Sequence, residues 1–419
     1  MNSVTAPEIQ PISAPRFIYP EQYDSNQELY MLNAGSQEVV RIEVIFPAGT
    51  AMNENPTLAG MCNRMLREGT VKHNARQIAD KLDFYGAYLE SDTDADKATI
   101  TLYVMSKFLP NVLPVFFELL TEPAFPEKEL DIQKNSFKQQ FMENQQKVAS
   151  LSRMRFSEEL FKNHPYGSSV NLRAYDELNV EKLRTFYSEY YKKELSFILA
   201  SGKISKNENE LIQRTFKGWS SVRQVNNQPF YQSASLGTIQ VKKEDALQSG
   251  IRIGRTLPVK SGDDDLHLIS LYNTLLGGYF GSRLMSNIRE NKGFTYGIGS
   301  GVLAMERATM FVISTEVKGE STQETLVEIN KELNKLCNEP VDNHELKTVI
   351  NYTLGGFLRN TQGPFEQAER FKNIYFRGLD YTHYEKLFNK VNSVEASEIQ
   401  RIAQTYFKPE MMLTAWAGK

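Results

Sequence analysis

A chain of 419 residues, 41% of them hydrophobic, can fill more than one ordinary core and should fold as at least two globular domains. Its 48 basic and 51 acidic residues are interspersed and leave a net charge of -3, which gives no electrostatic motive for binding nucleic acid or an anionic membrane. Two cysteines far apart in sequence, Cys62 and Cys337, can form neither a CxxC metal pair nor a disulfide framework, and both read as buried thiols.

From Met1 to Ile18, prolines and polar residues stand where an export signal needs a basic start and an unbroken apolar run. No stretch approaches the roughly 20 apolar residues that cross a bilayer, so a cytoplasmic protein is expected. Val40, Ile42, Val44 and Phe46 alternate with other side chains, as do Ile100, Leu102 and Val104, the period-two pattern of strands with one covered face. Between them Leu58, Met61, Cys62, Met65 and Leu66 fall at i, i+3, i+4, i+7 and i+8, the apolar stripe of a helix. Further on, His164 sits in His-Pro-Tyr-Gly with no nucleophile and base beside it, and reads as part of a rigid turn.

An amphipathic helix is expected around Val180 to Tyr190. From Trp219 to Ser235 the chain is rich in Ser, Asn and Gln with little periodicity, as suits an interdomain linker. The expected organisation is a domain over 1–220, a linker over 221–236 and a second domain over 237–419. In that second domain Asp263-Asp264-Asp265 reads as a solvated loop or helix N-terminus. Gly277, Gly278 and Gly281 match no phosphate-binding pattern and read as a flexible turn before a helix. Leu326, Ile329, Leu333 and Leu336 mark another helix, and Val394 to Tyr406 a further one.

The chain also repeats itself. Tyr190-Tyr191-Lys192-Lys193-Glu194, running on to Gly202-Lys203, recurs at a constant offset as Tyr406-Phe407-Lys408-Pro409-Glu410, running on to Gly418-Lys419. Each copy is an amphipathic helix followed by a short apolar strand, so two α+β domains of similar design are expected, each with helices over one sheet face.

Several segments, in order, resemble the M16 (insulinase/pitrilysin) family over nearly the whole chain. Met65-Leu66-Arg67-Glu68-Gly69-Thr70 resembles the helix end that follows the family's zinc motif, and Phe161 to Gly167 resembles its H-P-Y-G segment. Gly281-Ser282-Arg283-Leu284 and Ile288-Arg289-Glu290-Asn291-Lys292-Gly293-Phe294-Thr295-Tyr296 resemble its S-R-L-x-x-x-I-R-E-x-x-G-x-x-Y segment. The resemblance implies two domains of the LuxS/MPP-like metallohydrolase type, each a mostly antiparallel sheet covered on one face by helices.

Active members hold zinc with H-x-x-E-H, two histidines one helical turn apart with a glutamate base between them, and a more distant glutamate. Registered on Gly69-Thr70, the three motif positions here are Gly60, Asn63 and Arg64, and the distant ligand falls on a helix from Glu127 to about Gln145, at Gln139 or Gln140. Glycine offers no ligand, an amide is no base, and a guanidinium repels the metal. The other side of the helix keeps its apolar stripe. No metal is therefore expected in this chain, and no peptidase activity from it alone.

Arg289 and Tyr296 remain. The resemblance assigns these positions to the domain facing the zinc across a central chamber, supplied in two-subunit bacterial members by the subunit without zinc. A guanidinium and a phenol can donate to a peptide carbonyl and to the oxyanion formed on attack. Arg283 reads as structural. The resemblance thus implies a non-catalytic subunit that pairs with a zinc-bearing paralogue, closes the chamber and binds unfolded or extended peptides along a sheet edge. An M16-like scaffold without proteolysis and a homodimeric peptide-binding protein are the rival readings.

Overall fold

The computed structural model describes residues 12–23, 27–192, 196–219 and 230–419. The first half runs β1 (Glu21–Gln22), β2 (Leu29–Asn33), β3 (Val39–Phe46), α1 (Thr57–Met65), α2 (Ala75–Phe84), β4 (Tyr88–Thr93), β5 (Ala98–Met105), α3 (Leu109–Thr121), α4 (Glu127–Gln145), α5 (Val148–Leu160), α6 (Leu172–Asp176), α7 (Val180–Tyr190), β6 (Phe197–Gly202) and α8 (Lys206–Thr215). The second continues with β7 (Gly237–Lys242), β8 (Gln248–Leu257), α9 (Asp264–Asn273), β9 (Ile298–Ala304), β10 (Thr309–Lys318), α10 (Thr322–Asn338), α11 (Asn343–Arg359), α12 (Pro364–Tyr375), α13 (Thr382–Asn392), α14 (Ala396–Tyr406) and β11 (Leu413–Gly418).

The sheets are ordered β1-β2-β6-β3-β5-β4 and β7-β11-β8-β10-β9. In each, one pair is parallel, β2 with β6 and β7 with β11, and the other pairings are antiparallel. Helices α4, α5, α7 and strand β6 begin at Glu127, Val148, Val180 and Phe197, and the same spacing returns in α11, α12, α14 and β11, which begin at Asn343, Pro364, Ala396 and Leu413. The constant offset read from two short segments therefore governs a whole half. Among the described residues no helix is long and apolar enough to cross a membrane.

Contrary to the expectation from alternation, the sheets do not have a single covered face. Val40, Ile42, Val44 and Phe46 pack with the α1 stripe in the first core, but Arg41, Glu43 and Ile45 on the opposite face are buried too. What covers them is α12, from the other half: Arg41 pairs with Glu43 and Glu369 at 2.9 Å each and donates to the Phe365 carbonyl, and Lys372 bonds Glu43. The exchange is mutual, because α5 of the first half lies on β8 and β11 of the second, joining Phe156 and Leu160 to Leu413 and Ala415. A side chain at Gly250 on β8 would come within 2.7 Å of the α5 backbone, so glycine sets how closely that helix can seat.

Each half keeps its own main core, and the halves interlock around these cores. Residues 12–19 illustrate this: Ile12 and Ala14 rest on the second core, and Phe17 packs among Ile374, Tyr381 and Tyr384. Of the expected linker, 220–229 lies outside the described residues. Trp219 is buried with Phe117 and Phe216, and the chain from Phe230 onward bonds to the second half, Tyr231 N–H to the Arg307 carbonyl and Ser233 N–H to Thr256. The glycine segment is not a flexible turn either. Thr274–Gly278 is a π-helical turn, and a side chain on Gly277 would strike Ser300 at 2.6 Å. Asp264 and Asp265 do open α9, with Asp265 held by Arg401 and Tyr406.

Asp96 and Arg307, 6% and 7% exposed, join the halves at 3.3 Å, with the Tyr166 hydroxyl donating to Asp96 at 2.6 Å. Asp96→Ala removes a buried carboxylate that bonds both the Arg307 guanidinium and the Tyr166 hydroxyl, and should cost about 3 kcal/mol in urea unfolding. Where α9 meets α13, the rings of His267 and His383 lie 4.7 Å apart, and burial, then the neighbouring His383, draws the His267 pKa down to about 4. The native state therefore holds His267 neutral while an unfolded histidine titrates near 6.5. Between about pH 6.5 and 4 the unfolded chain binds more protons, so stability falls as the pH falls through that window. Melting temperature should drop less steeply over that range in His267→Gln.

Candidate functional site

Helix α1 turns its apolar stripe, Leu58, Met61, Cys62 and Met65, into the first core. That orientation carries Gly60, Asn63 and Arg64 to the side facing α4 and the edge strand β4. They line a cavity of about 350 Å³ together with Ser91, Thr93, Gln133, Ser136, Phe137 and Gln140. Of the two candidates for the distant ligand position, Gln140 lines this cavity, whereas Gln139 bonds Glu143 at 3.1 Å on the exposed side of α4. The fold thus brings together Gly60, Asn63, Arg64 and Gln140, positions on two helices well separated in the chain, and leaves Gln139 outside.

The cavity is polar but lacks metal donors. Asn63, 2% exposed, gives its amide hydrogens to the Asp92 carbonyl at 2.7 Å and to Thr93 at 3.1 Å, while its Oδ1 has no partner. Arg64 Nε is held by Gln133 at 3.3 Å and Glu68 at 3.4 Å, and Gln133 also donates to Glu68 at 3.1 Å. Burial, then the like charge of Arg67, lowers the Arg64 pKa. A zinc site needs several imidazole, thiolate or carboxylate ligands, and here amides, hydroxyls and a cation occupy their places. Among the described residues no three His, Cys, Asp or Glu side chains gather as a metal site. The residues present do not fit zinc, and no hydrolytic step can be routed through them.

Arg289 and Tyr296 sit in the second half, away from that cavity's lining. Arg289 lies on a π-wound helix, Met285–Asn291, with its guanidinium 4.8 Å from the Phe280 ring. Among the described residues it makes no hydrogen bond or ion pair, and the neighbouring Glu290 does not engage it. Tyr296 is 94% exposed, just before the edge strand β9. Arg283, by contrast, is bound twice by Glu345, at 2.9 and 2.7 Å, in a structural pair. The π winding that displays Arg289 was not legible in the sequence.

His164 shapes its turn by accepting from the Tyr166 N–H at 3.2 Å, and burial lowers its pKa. Sequence reasoning missed what the turn does: it delivers Tyr166 to Asp96 and, across the interface, to Arg307, which stacks on the phenol at 4.8 Å.

Known proteins share this fold. Residues 30–172 match the Insulinase (Peptidase family M16) profile, and residues 177–352 match that of the Peptidase M16 inactive domain. The chain belongs to the M16 family. A Rickettsia bellii protein named as an uncharacterized zinc protease is 23% identical over 381 residues, covering 88% of this chain and 90% of its own. The Helicobacter pylori protein named non-peptidase homolog YmxG is 20% identical over 364 residues, 85% of this chain and 84% of its own. A peptidase M16 inactive domain from Pseudomonas fluorescens shares the fold with a TM-score of 0.85 at 22% identity, covering 95% of this chain and 98% of that one. Relatives named inactive or non-peptidase agree with the donor set described above.

The register can be tested by restoring the motif. A Cβ at Gly60 meets nothing within 4 Å, so a side chain can be introduced there. The combined Gly60→His, Asn63→Glu, Arg64→His and Gln140→Glu variant should bind one zinc per chain by elemental analysis, and the native chain none; a zinc-free variant that still folds would mean that positions 60, 64 and 140 do not converge as a ligand set.

Proposed function

We propose that this chain is the non-catalytic subunit of a two-subunit M16 peptidase, pairing with a zinc-bearing M16 paralogue and binding extended peptide for cleavage at that partner's metal. The observation that carries this reading is an asymmetry: no metal-binding position carries a metal donor, while Arg289 and Tyr296 have no polar partner among the described residues. An idle guanidinium and phenol beside an edge strand suit donation to a peptide carbonyl or to an oxyanion formed at a facing zinc. Main-chain pairing along a sheet edge would give such binding broad sequence tolerance. Zinc belongs to the partner in this scheme. The expected setting is cytoplasmic.

The decisive measurement is zinc content and peptide cleavage for this chain alone and mixed with a zinc-bearing M16 subunit. Cleavage is expected only in the mixture. In the assembled complex, Arg289→Ala and Tyr296→Phe should each lower kcat by roughly 10-fold or more, the scale on which single transition-state donors act. Full turnover in both variants would remove these residues from the chemistry and favour the scaffold reading.

A further inference from the structure

We infer that the cavity at Gly60, Asn63 and Arg64 is a receptor for the C-terminal carboxylate of an extended peptide. This inference does not rest on the partnership proposed above, because every group it uses lies in the first half of this chain.

The cation comes first. Arg64 is anchored through Nε alone, by Gln133 and Glu68, so its plane is fixed while Nη1 and Nη2 have no partner among the described residues. Its side chain is 36% exposed and lines the cavity. Arg67, one turn on, adds a second positive charge against the single carboxylate of Glu68, and its own Nη1 reaches the Leu89 carbonyl at 3.5 Å. A half-buried guanidinium with both terminal nitrogens free is built for two parallel bonds to a carboxylate.

The wall beside this cation is an unpaired strand edge. The Asp94 N–H bonds the Lys97 carbonyl, so alternation along the antiparallel β4–β5 pair turns the backbone groups of Leu89, Ser91 and Thr93 toward the free side of the sheet. Ser91 and Thr93 line the same cavity. An extended chain pairing with them would run its end past Arg64. Room for its last side chain lies next door, in a cavity of about 380 Å³ that shares Phe137 and Gln140 and adds Phe141, Met154 and Tyr175. The missing side chain at Gly60, with nothing within 4 Å of a Cβ there, keeps the approach open.

An internal Asp or Glu of a peptide offers the same carboxylate chemistry, so the test separates the two sources. Three fluorescein-labelled apolar peptides of one sequence would be titrated into the full chain: one with a free C-terminal carboxylate, one amidated, and one amidated with an internal Glu. The free-carboxylate peptide should bind roughly 10-fold or more tightly than either amidated form. Arg64→Gln should abolish that preference, and Gly60→Leu, which fills the cavity without touching a polar contact, should abolish binding at an unchanged melting temperature. Equal affinity for the first two peptides, recovery by the internal Glu, or native binding in Gly60→Leu would each overturn the assignment.

Discussion

Everything in this protein depends on two helices lying on the wrong sheets. A six-stranded sheet covered by helices on one face leaves the other face to be buried by something else, and here α12 and α5 each cross to the opposite half to do it. The cost is visible in the residues. β3 presents Arg41 and Glu43 to a face that became interior, so both charges had to find partners, and Glu369, Lys372 and the Phe365 carbonyl supply them. Burial pushes the Glu43 carboxyl up, and Lys372 and Arg41 pull it back. The halves are thereby fixed relative to one another by an apolar contact around Ala368 and Ala415 and by ionic pairs that tolerate little displacement.

That rigidity explains how the fold can persist without its metal. The residues of α1 that build the core and those that would hold zinc lie on different sides of one helix, and the two sets carry separate physical burdens. Leu58, Met61, Cys62 and Met65 are each at most 4% exposed, and their burial stabilises the helix position regardless of what faces the cavity. Gly60 and Arg64 can change without opening a void. Asn63 even gains a structural duty, tying α1 to β4 and β5 through the Asp92 and Thr99 carbonyls. A site without metal chemistry keeps its shape, its neighbouring sheet edge and the Arg64 cation, the features on which the proposed peptide recognition rests.

Much was legible in the sequence alone, and the reason is locality. Helix α7 over Val180–Tyr190 occupies the residues its amphipathic pattern indicated, because an apolar period of 3.6 is a property of neighbouring residues, and α4 over Glu127–Gln145 lies where the family resemblance implied a helix. The internal repeat implied two sheets of one design, since a duplicated sequence carries duplicated turn and packing signals. The loss of ligands at Gly60, Asn63 and Arg64 was likewise a matter of side-chain identity alone.

Tertiary structure decided what identity and period cannot. The alternation in β3 said that two faces differ, not that the second would be covered, because the covering helix α12 lies far along the chain, in the other half. The choice of Gln140 over Gln139 rests on which side of α4 meets α1, and the bond from Tyr166 to Asp96 and Arg307 spans both halves. Sequence by itself determined that this is a duplicated M16 architecture emptied of metal ligands. Only the assembled chain determined that the emptied site is an open cavity with a fixed cation, and that the halves interlock, because both are contacts between segments whose separation along the chain carries no local signal.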